Sequence, residues 1–116
     1  RRRVFERVAG SVFMSAMETG WSLLETGRPQ SALLFFELAA QARPRLAGPY
    51  LALASCHGAR GEPKAALREL RRAVAAGLSA RHLVAAVERE ARLALVRDTE
   101  EYRALLVQAA AENPVP

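Results

Sequence analysis

The chain has 116 residues (12.6 kDa), 51% hydrophobic and 25% charged, which is enough for one core or a short stack of repeats and excludes wholesale disorder. Isoleucine is absent, and 24 Ala and 16 Leu outweigh nine Val and three Thr, which argues against a β-rich fold because Ala and Leu lose little side-chain freedom in a helix. The formal charge is +5, with sixteen of the seventeen basic residues Arg, a skew that fits guanidinium chemistry or a GC-rich coding sequence equally well.

In chain order, Val4, Phe5, Val8 and Val12 open the sequence at helical spacing. Residues 1–12 form an N-terminal capping or linker helix, or extend the next helix backwards, with a break possible at Gly10. Residues 13–26 carry Phe13, Met14, Met17, Trp21 and Leu24 on one helical stripe, which Gly27 ends. Pro29 suits the first turn of a second helix to about residue 42, burying Ala32, Leu33, Phe36 and Ala39 before Pro44 stops it. Gly48-Pro49 starts a third helix to about Gly58. Pro63 opens a fourth with Ala66, Leu67, Leu70, Ala73 and Val74 inward and Gly77 as its C-cap. Ser79 can cap a fifth helix with Leu83, Val84, Val87, Ala91 and Ala94 on its apolar side. Asp98-Thr99-Glu100-Glu101 reads as a capping box with Asp98 as the cap, opening a sixth helix with Tyr102, Leu105, Leu106 and Ala109 inward. Residues 113–116 are left as a tail. The opening Arg1-Arg2-Arg3 and closing Asn113-Pro114-Val115-Pro116 read as cut or processed ends.

An internal repeat runs through the middle. Gly27-Arg28-Pro29-Gln30-Ser31-Ala32-Leu33 and Gly61-Glu62-Pro63-Lys64-Ala65-Ala66-Leu67 share the pattern G-x-P-x-x-A-L at an offset of 34 residues. Phe36 aligns with Leu70 and Ala39 with Ala73. Upstream, Ala16 aligns with Tyr50, Gly20 with Ala54 and Leu23 with His57. The small residues Gly20, Ala32, Ala39, Ala54, Ala66 and Ala73 are expected where helices approach closely, since larger side chains there would overpack the contact.

These residues resemble the tetratricopeptide (TPR) repeat, a 34-residue helix–turn–helix unit with the pattern W-x2-L-G-x2-Y, then A-x3-F, then P. The first copy, residues 13–46, has Gly20-x2-Leu23, Ala32-x3-Phe36 and Pro44. The second, residues 47–80, has Tyr50-x2-Leu53-Ala54-x2-His57 and Ala66-x3-Leu70. Ala16, His57 and Leu78 depart from the pattern. The stretch from Leu93 to Leu106 is similar to the tail that closes many bacterial TPR groups, with Thr99 and Glu100 departing from it. The resemblance implies an all-α fold: a short right-handed α-solenoid of two hairpins, with an N-terminal helical extension and capping helices over residues 81–112. It also implies a module of a larger bacterial protein.

The chain holds no P-loop, G-x-G-x-x-G, G-x-S-x-G or H-E-x-x-H pattern. Cys56 is the sole cysteine, so neither an internal disulfide nor a multi-cysteine metal site is available. Cys56 and His57 are neighbours whose side chains diverge on a helix, a poor start for a nucleophile–base pair. Glu69–Arg72 and Glu88–Arg92 fit surface ion pairs. The expectation is a non-enzyme without cofactor or metal. No apolar run approaches the roughly 20 residues that span a bilayer, and no signal-peptide pattern is visible, so a cytoplasmic location is expected.

By the resemblance, the first helix of each repeat lines a concave groove where a partner peptide lies. The protein-binding candidates are Met14, Met17, Trp21 and Leu24 in the first repeat and Leu51 and Ser55 in the second, with Gly58 beside them and Glu18 and Glu25 flanking. Trp21, the only Trp, with adaptable Met neighbours, suits a hot spot for an apolar or amphipathic segment. Met17, Trp21 and Leu51 stand where chaperone-binding relatives carry the polar residues that grip a carboxylate tail, so that ligand is not expected. One alternative is a homo-oligomerisation or spacer domain in which the stripe is covered by the chain itself or a second copy. The other is nucleic-acid or anionic-surface binding through Arg68, Arg71, Arg72, Arg81, Arg89, Arg92 and Arg97. Interleaved Glu and the lack of aromatics disfavour a nucleic acid. The Arg1–Arg3 run with Arg7 is the leading candidate for an electrostatic contact, with an acidic partner or a membrane surface, or is a linker; of these a membrane surface is not expected.

Overall fold

The computed structural model describes residues 2–115 and is all-helical, with no strand among them. The elements are α1 (Arg2–Glu25), α2 (Pro29–Ala42), α3 (Gly48–Ala59), α4 (Pro63–Ala75), α5 (Ala80–Arg89), a 3₁₀ helix (Ala91–Val96) and α6 (Glu100–Glu112). Short connections fold α1 against α2 and α3 against α4 as hairpins, and α2 packs on α3. The molecule measures 44 × 36 × 19 Å, and 19 Å is the thickness of two helix layers.

The same local chemistry builds the first two hairpins. Arg28 N–H donates to the Leu23 carbonyl (2.8 Å) and Gly27 N–H to that of Leu24 (3.1 Å). Thirty-four residues on, Glu62 N–H donates to His57 (2.9 Å) and Gly61 N–H to Gly58 (3.0 Å). These paired bonds satisfy carbonyls left over at a helix C-terminus, and they need a left-handed residue; Gly27 (φ +80°) and Gly61 (φ +71°) supply it. Pro29 and Pro63 then begin the next helices, where their missing N–H leaves no donor unpaired. The α4 terminus closes the same way, through Leu78 to Ala73 (3.1 Å) and Gly77 (φ +109°) to Val74 (2.9 Å).

The core consists of two joined clusters. One gathers Leu24, Ala32, Phe36, Ala40, Tyr50, Leu53, Cys56 and Ala73. The other gathers Ala54, Leu67, Leu70, Val74, Leu83, Val87, Leu93, Val96, Tyr102 and Leu105. Leu51 and Leu78 pack against both. The small residues expected at close approaches are all buried. At Gly20 a Cβ would lie 2.5 Å from the Phe36 ring, so only glycine lets that ring pack so closely on α1.

Helix α1 runs unbroken through Gly10, so residues 2–12 extend the first helix backwards, one of the two arrangements the sequence offers; the Arg43 guanidinium crosses there and donates to the Glu6 carbonyl (3.1 Å). Four local expectations need correction. Helix α5 stops at Arg89 and its continuation tightens to 3₁₀, leaving Ala91 and Ala94 exposed and burying Leu93 and Val96 instead, while Val84, within α5, is also exposed. The cause is a close approach: a Cβ on Gly58 would lie 2.1 Å from the Arg92 carbonyl oxygen. Arg97 closes the shortened helix by donating to the carbonyls of Val87 (2.9 Å), Glu88 (3.1 Å) and Glu90 (3.3 Å). Because the turn changes there, Arg92 pairs with Glu90 (3.1 Å) and not with Glu88. The cap of α6 is Thr99, not Asp98: its Oγ1 accepts from Tyr102 N–H (3.2 Å) and donates to the Val96 carbonyl (2.7 Å). Asn113, placed in the tail, anchors α6 to α4 by donating to the carbonyls of Val74 (2.8 Å) and Leu78 (2.9 Å).

Candidate protein-interaction site

The first helices of successive hairpins, α1 and α3, together with α5 and the 3₁₀ turn, leave a notch of about 230 Å³ between them. Trp21, Leu51, Ser55, Ala86, Arg89, Glu90 and Leu93 line it. Trp21, Ser55 and Arg89 stand 34 residues apart in steps, so positions at one spacing on three alternate helices, α1, α3 and α5, meet at one place.

Each wall has a physical origin. Gly20 admits the Phe36 ring to α1, and the next residue, Trp21, meets that ring edge-on at 5.3 Å and 68°. The favourable edge-to-face geometry fixes the indole, which stays partly exposed. Leu51 is half-buried and braces the floor from both core clusters. Ser55 is 3% exposed, and its hydroxyl donates to the Leu51 carbonyl (3.1 Å). It contributes a small floor and no free donor. Both Glu90 oxygens accept from Arg92 Nη1 (3.1 Å each), which neutralises the carboxylate at the rim. Arg89 donates Nε to the Ala85 carbonyl (3.2 Å), and no carboxylate pairs with it among the described residues. The notch is therefore an apolar recess with an aromatic wall and one uncompensated cation.

Of the residues singled out in the sequence, Trp21, Leu51 and Ser55 come together here. Met17 packs against the same core cluster as Trp21 and does not line the notch. Met14 is 59% exposed on α1, outside the notch. Leu24 is 3% exposed and belongs to the core, and Gly58 lies beneath the Arg92 backbone. Ala86, Glu90 and Leu93 were missed, and Arg89 was named only for the basic faces. Carrying the 34-residue step once more, from Ser55, reaches Arg89 and would have found that wall.

Many arginines of the basic faces are structural. Arg72 pairs with Glu69 (2.8 Å) and Glu37 (3.1 Å) and covers the Tyr50 ring at 4.6 Å. Arg60 pairs with Glu62, and Arg97 closes α5. Lys64, Arg68 and Arg71 are the exposed exception on α4, and Glu101 lies beside them. Cys56 is fully buried, and burial pushes its thiol up to about 12, the Arg92 charge opposing weakly. His57 Nδ1 meets Glu62 Oε1 at 2.9 Å; that contact and Arg60 hold the Glu62 carboxyl below its usual range. The thiol is thus protonated at neutral pH, unlike an activated nucleophile. No group of three metal-ligating side chains occurs among the described residues, and no helix there is long and apolar enough to cross a membrane.

No family model matches the chain, and no curated protein or solved structure is significantly similar to it.

Proposed function

We propose that the chain is a non-catalytic protein-interaction module, a short TPR-type stack that holds an apolar or amphipathic segment of a partner in the notch between α1, α3 and α5. The observation that carries this reading is the convergence of Trp21, Ser55 and Arg89, equally spaced in sequence, on one recess. The matched turns at Gly27-Arg28-Pro29 and Gly61-Glu62-Pro63 support the repeat assignment. A fixed aromatic in a desolvated recess is the usual anchor of an interface. Arg89 adds a preference for an acidic group, or a helix C-terminus, at one end of the bound segment.

The test is peptide selection on the wild-type chain. Selected sequences should carry apolar residues at helical spacing, and Trp21 emission should report their binding. Trp21→Ala and Leu51→Lys should each weaken binding roughly tenfold or more. Selection of acidic runs whose binding survives Trp21→Ala and collapses between roughly 50 and 200 mM salt would replace this reading with polyanion binding.

A further inference from the structure

The opposite side of α1 carries a second surface that the notch does not use. Helix α1 has 24 residues and α2 has 14, so α1 overhangs its partner by about 15 Å at 1.5 Å per residue. Every residue from Arg2 to Val8 is exposed, including Val4 (63%), Phe5 (73%) and Val8 (57%). Beside this overhang runs a groove of about 280 Å³ between α1 and α2, lined by Ser11, Val12, Ser15, Ala16, Phe35 and Leu38. Leu34, one turn before Leu38, is also exposed. Val4, Phe5, Val8 and Leu38 make up four of the ten large exposed apolar side chains among the described residues, and exposed apolar side chains gathered on an overhang and its adjoining groove mark an interaction surface.

The charges on α1 run against its own dipole. Arg2, Arg3 and Arg7, with Glu6 among them, occupy the positive N-terminal end, and Glu18 and Glu25 the negative C-terminal end. None of the six forms an ion pair among the described residues. Within one helix this order is unfavourable. Against an antiparallel copy of the same helix it becomes complementary.

We propose that this end face binds a second copy of the chain about a two-fold axis passing between overhang and groove. The Val4, Phe5 and Val8 overhang of each copy fills the Ser11–Ser15–Phe35–Leu38 groove of the other. The arrangement lays Arg2 and Arg3 alongside Glu18 of the second copy and sets the two helix dipoles antiparallel. Ser11, Ser15 and Ala16 keep the groove shallow-walled, so the two α1 backbones can approach. Projection and recess lie on one face of one chain, as a self-complementary two-fold interface requires. A membrane would be served by uniform positive charge, whereas here carboxylates follow the arginines along the same helix. The two notches face away from this contact, so the dimer presents two binding sites and gains avidity for a bivalent partner.

Sedimentation equilibrium of the chain over a wide dilution series tests this. Wild type should reach twice the 12.6 kDa chain mass. Phe5→Asp and Val8→Asp, both exposed and therefore fold-neutral, should each weaken association roughly tenfold or more, with the thermal unfolding of the monomer unchanged. Glu18→Arg should weaken it as well, and combining it with Arg2→Glu and Arg3→Glu should restore it. Trp21→Ala should leave the mass unaltered, which separates this interface from the notch. A wild-type monomer throughout, a dimer indifferent to Phe5→Asp, or a charge exchange that fails to restore association would overturn the proposal.

Discussion

Replacing Gly58 by Ala should destabilise the protein although the site is helical. On propensity alone the change stabilises by at most about 1 kcal/mol, because glycine is the costlier residue in a helix. The structure opposes this: the new Cβ would stand 2.1 Å from the Arg92 carbonyl oxygen and 2.9 Å from its carbon. These are backbone atoms of the 3₁₀ turn, so no side chain can swing aside. Relief requires lifting the segment that buries Leu93 and Val96 and that Arg97 ties to α5. Overpacking of this kind costs about 1–3 kcal/mol, and the upper half applies because the obstacle is rigid. The net loss is then about 1–2 kcal/mol, or a fall in Tm of about 3–10 °C for a chain of this size. Gly10→Ala is the matched control. Its Cβ meets only Arg43 Nη2, at 3.2 Å, the mobile end of a long side chain. That variant should gain up to about 1 kcal/mol. Thermal unfolding followed by circular dichroism, with urea titration as a second measure, reads both. If Gly58→Ala raises Tm as Gly10→Ala does, the Arg92 backbone does not press on α3 and the explanation of the 3₁₀ turn is wrong.

Phe36→Ala should cost about 3–5 kcal/mol and shift Trp21 emission to longer wavelength, since the ring fills the space above Gly20 and fixes the indole; unchanged emission would contradict that role. Asn113→Leu should cost about 1–3 kcal/mol and speed amide exchange in α6, because the Leu78 carbonyl loses its donor and the Val74 carbonyl is left with Gly77 N–H alone. Cys56 titrates at about 12 in the folded chain against an ordinary value of 9.0, so above pH 9 the unfolded state sheds this proton first and stability falls as pH rises. Urea titration should show a slope of at most about 1.4 kcal/mol per pH unit beyond that of Cys56→Ala, and thiol reagents should label Cys56 only on unfolding. Equal alkaline slopes in the two proteins would refute this.

The hairpins were legible because their signals are local. Gly27 and Gly61 are demanded by left-handed turns, Pro29 and Pro63 by helix starts, and Ala32, Phe36, Ala66 and Leu70 by a helical period that reports which side is buried. The end of the chain was less legible because its signals are tertiary. Nothing in Arg89-Glu90-Ala91 announces that a backbone approach at Gly58 will tighten the next turn. The Thr99 cap was misplaced by one residue because Asp98 offers an equally good oxygen. In the site, Trp21 and Leu51 were visible as a stripe. Leu24 lies one turn after Gly20, on the face that Phe36 covers, and is buried, while Met14, about 80° round the helix from Leu24, stays exposed. Which part of the stripe meets α2 is set by Phe36 against Gly20, a contact between two helices that periodicity in one of them does not encode.

The most direct test of the notch as a binding surface is a chemical-shift map of the labelled chain titrated with a selected amphipathic peptide. The largest changes should fall at the Trp21 indole, Ser55 and Arg89, the three positions 34 residues apart, with Leu51 and Leu93 between them. Changes centred on Lys64, Arg68 and Arg71, with the indole resonance still, would place recognition on the basic face of α4 and contradict the account.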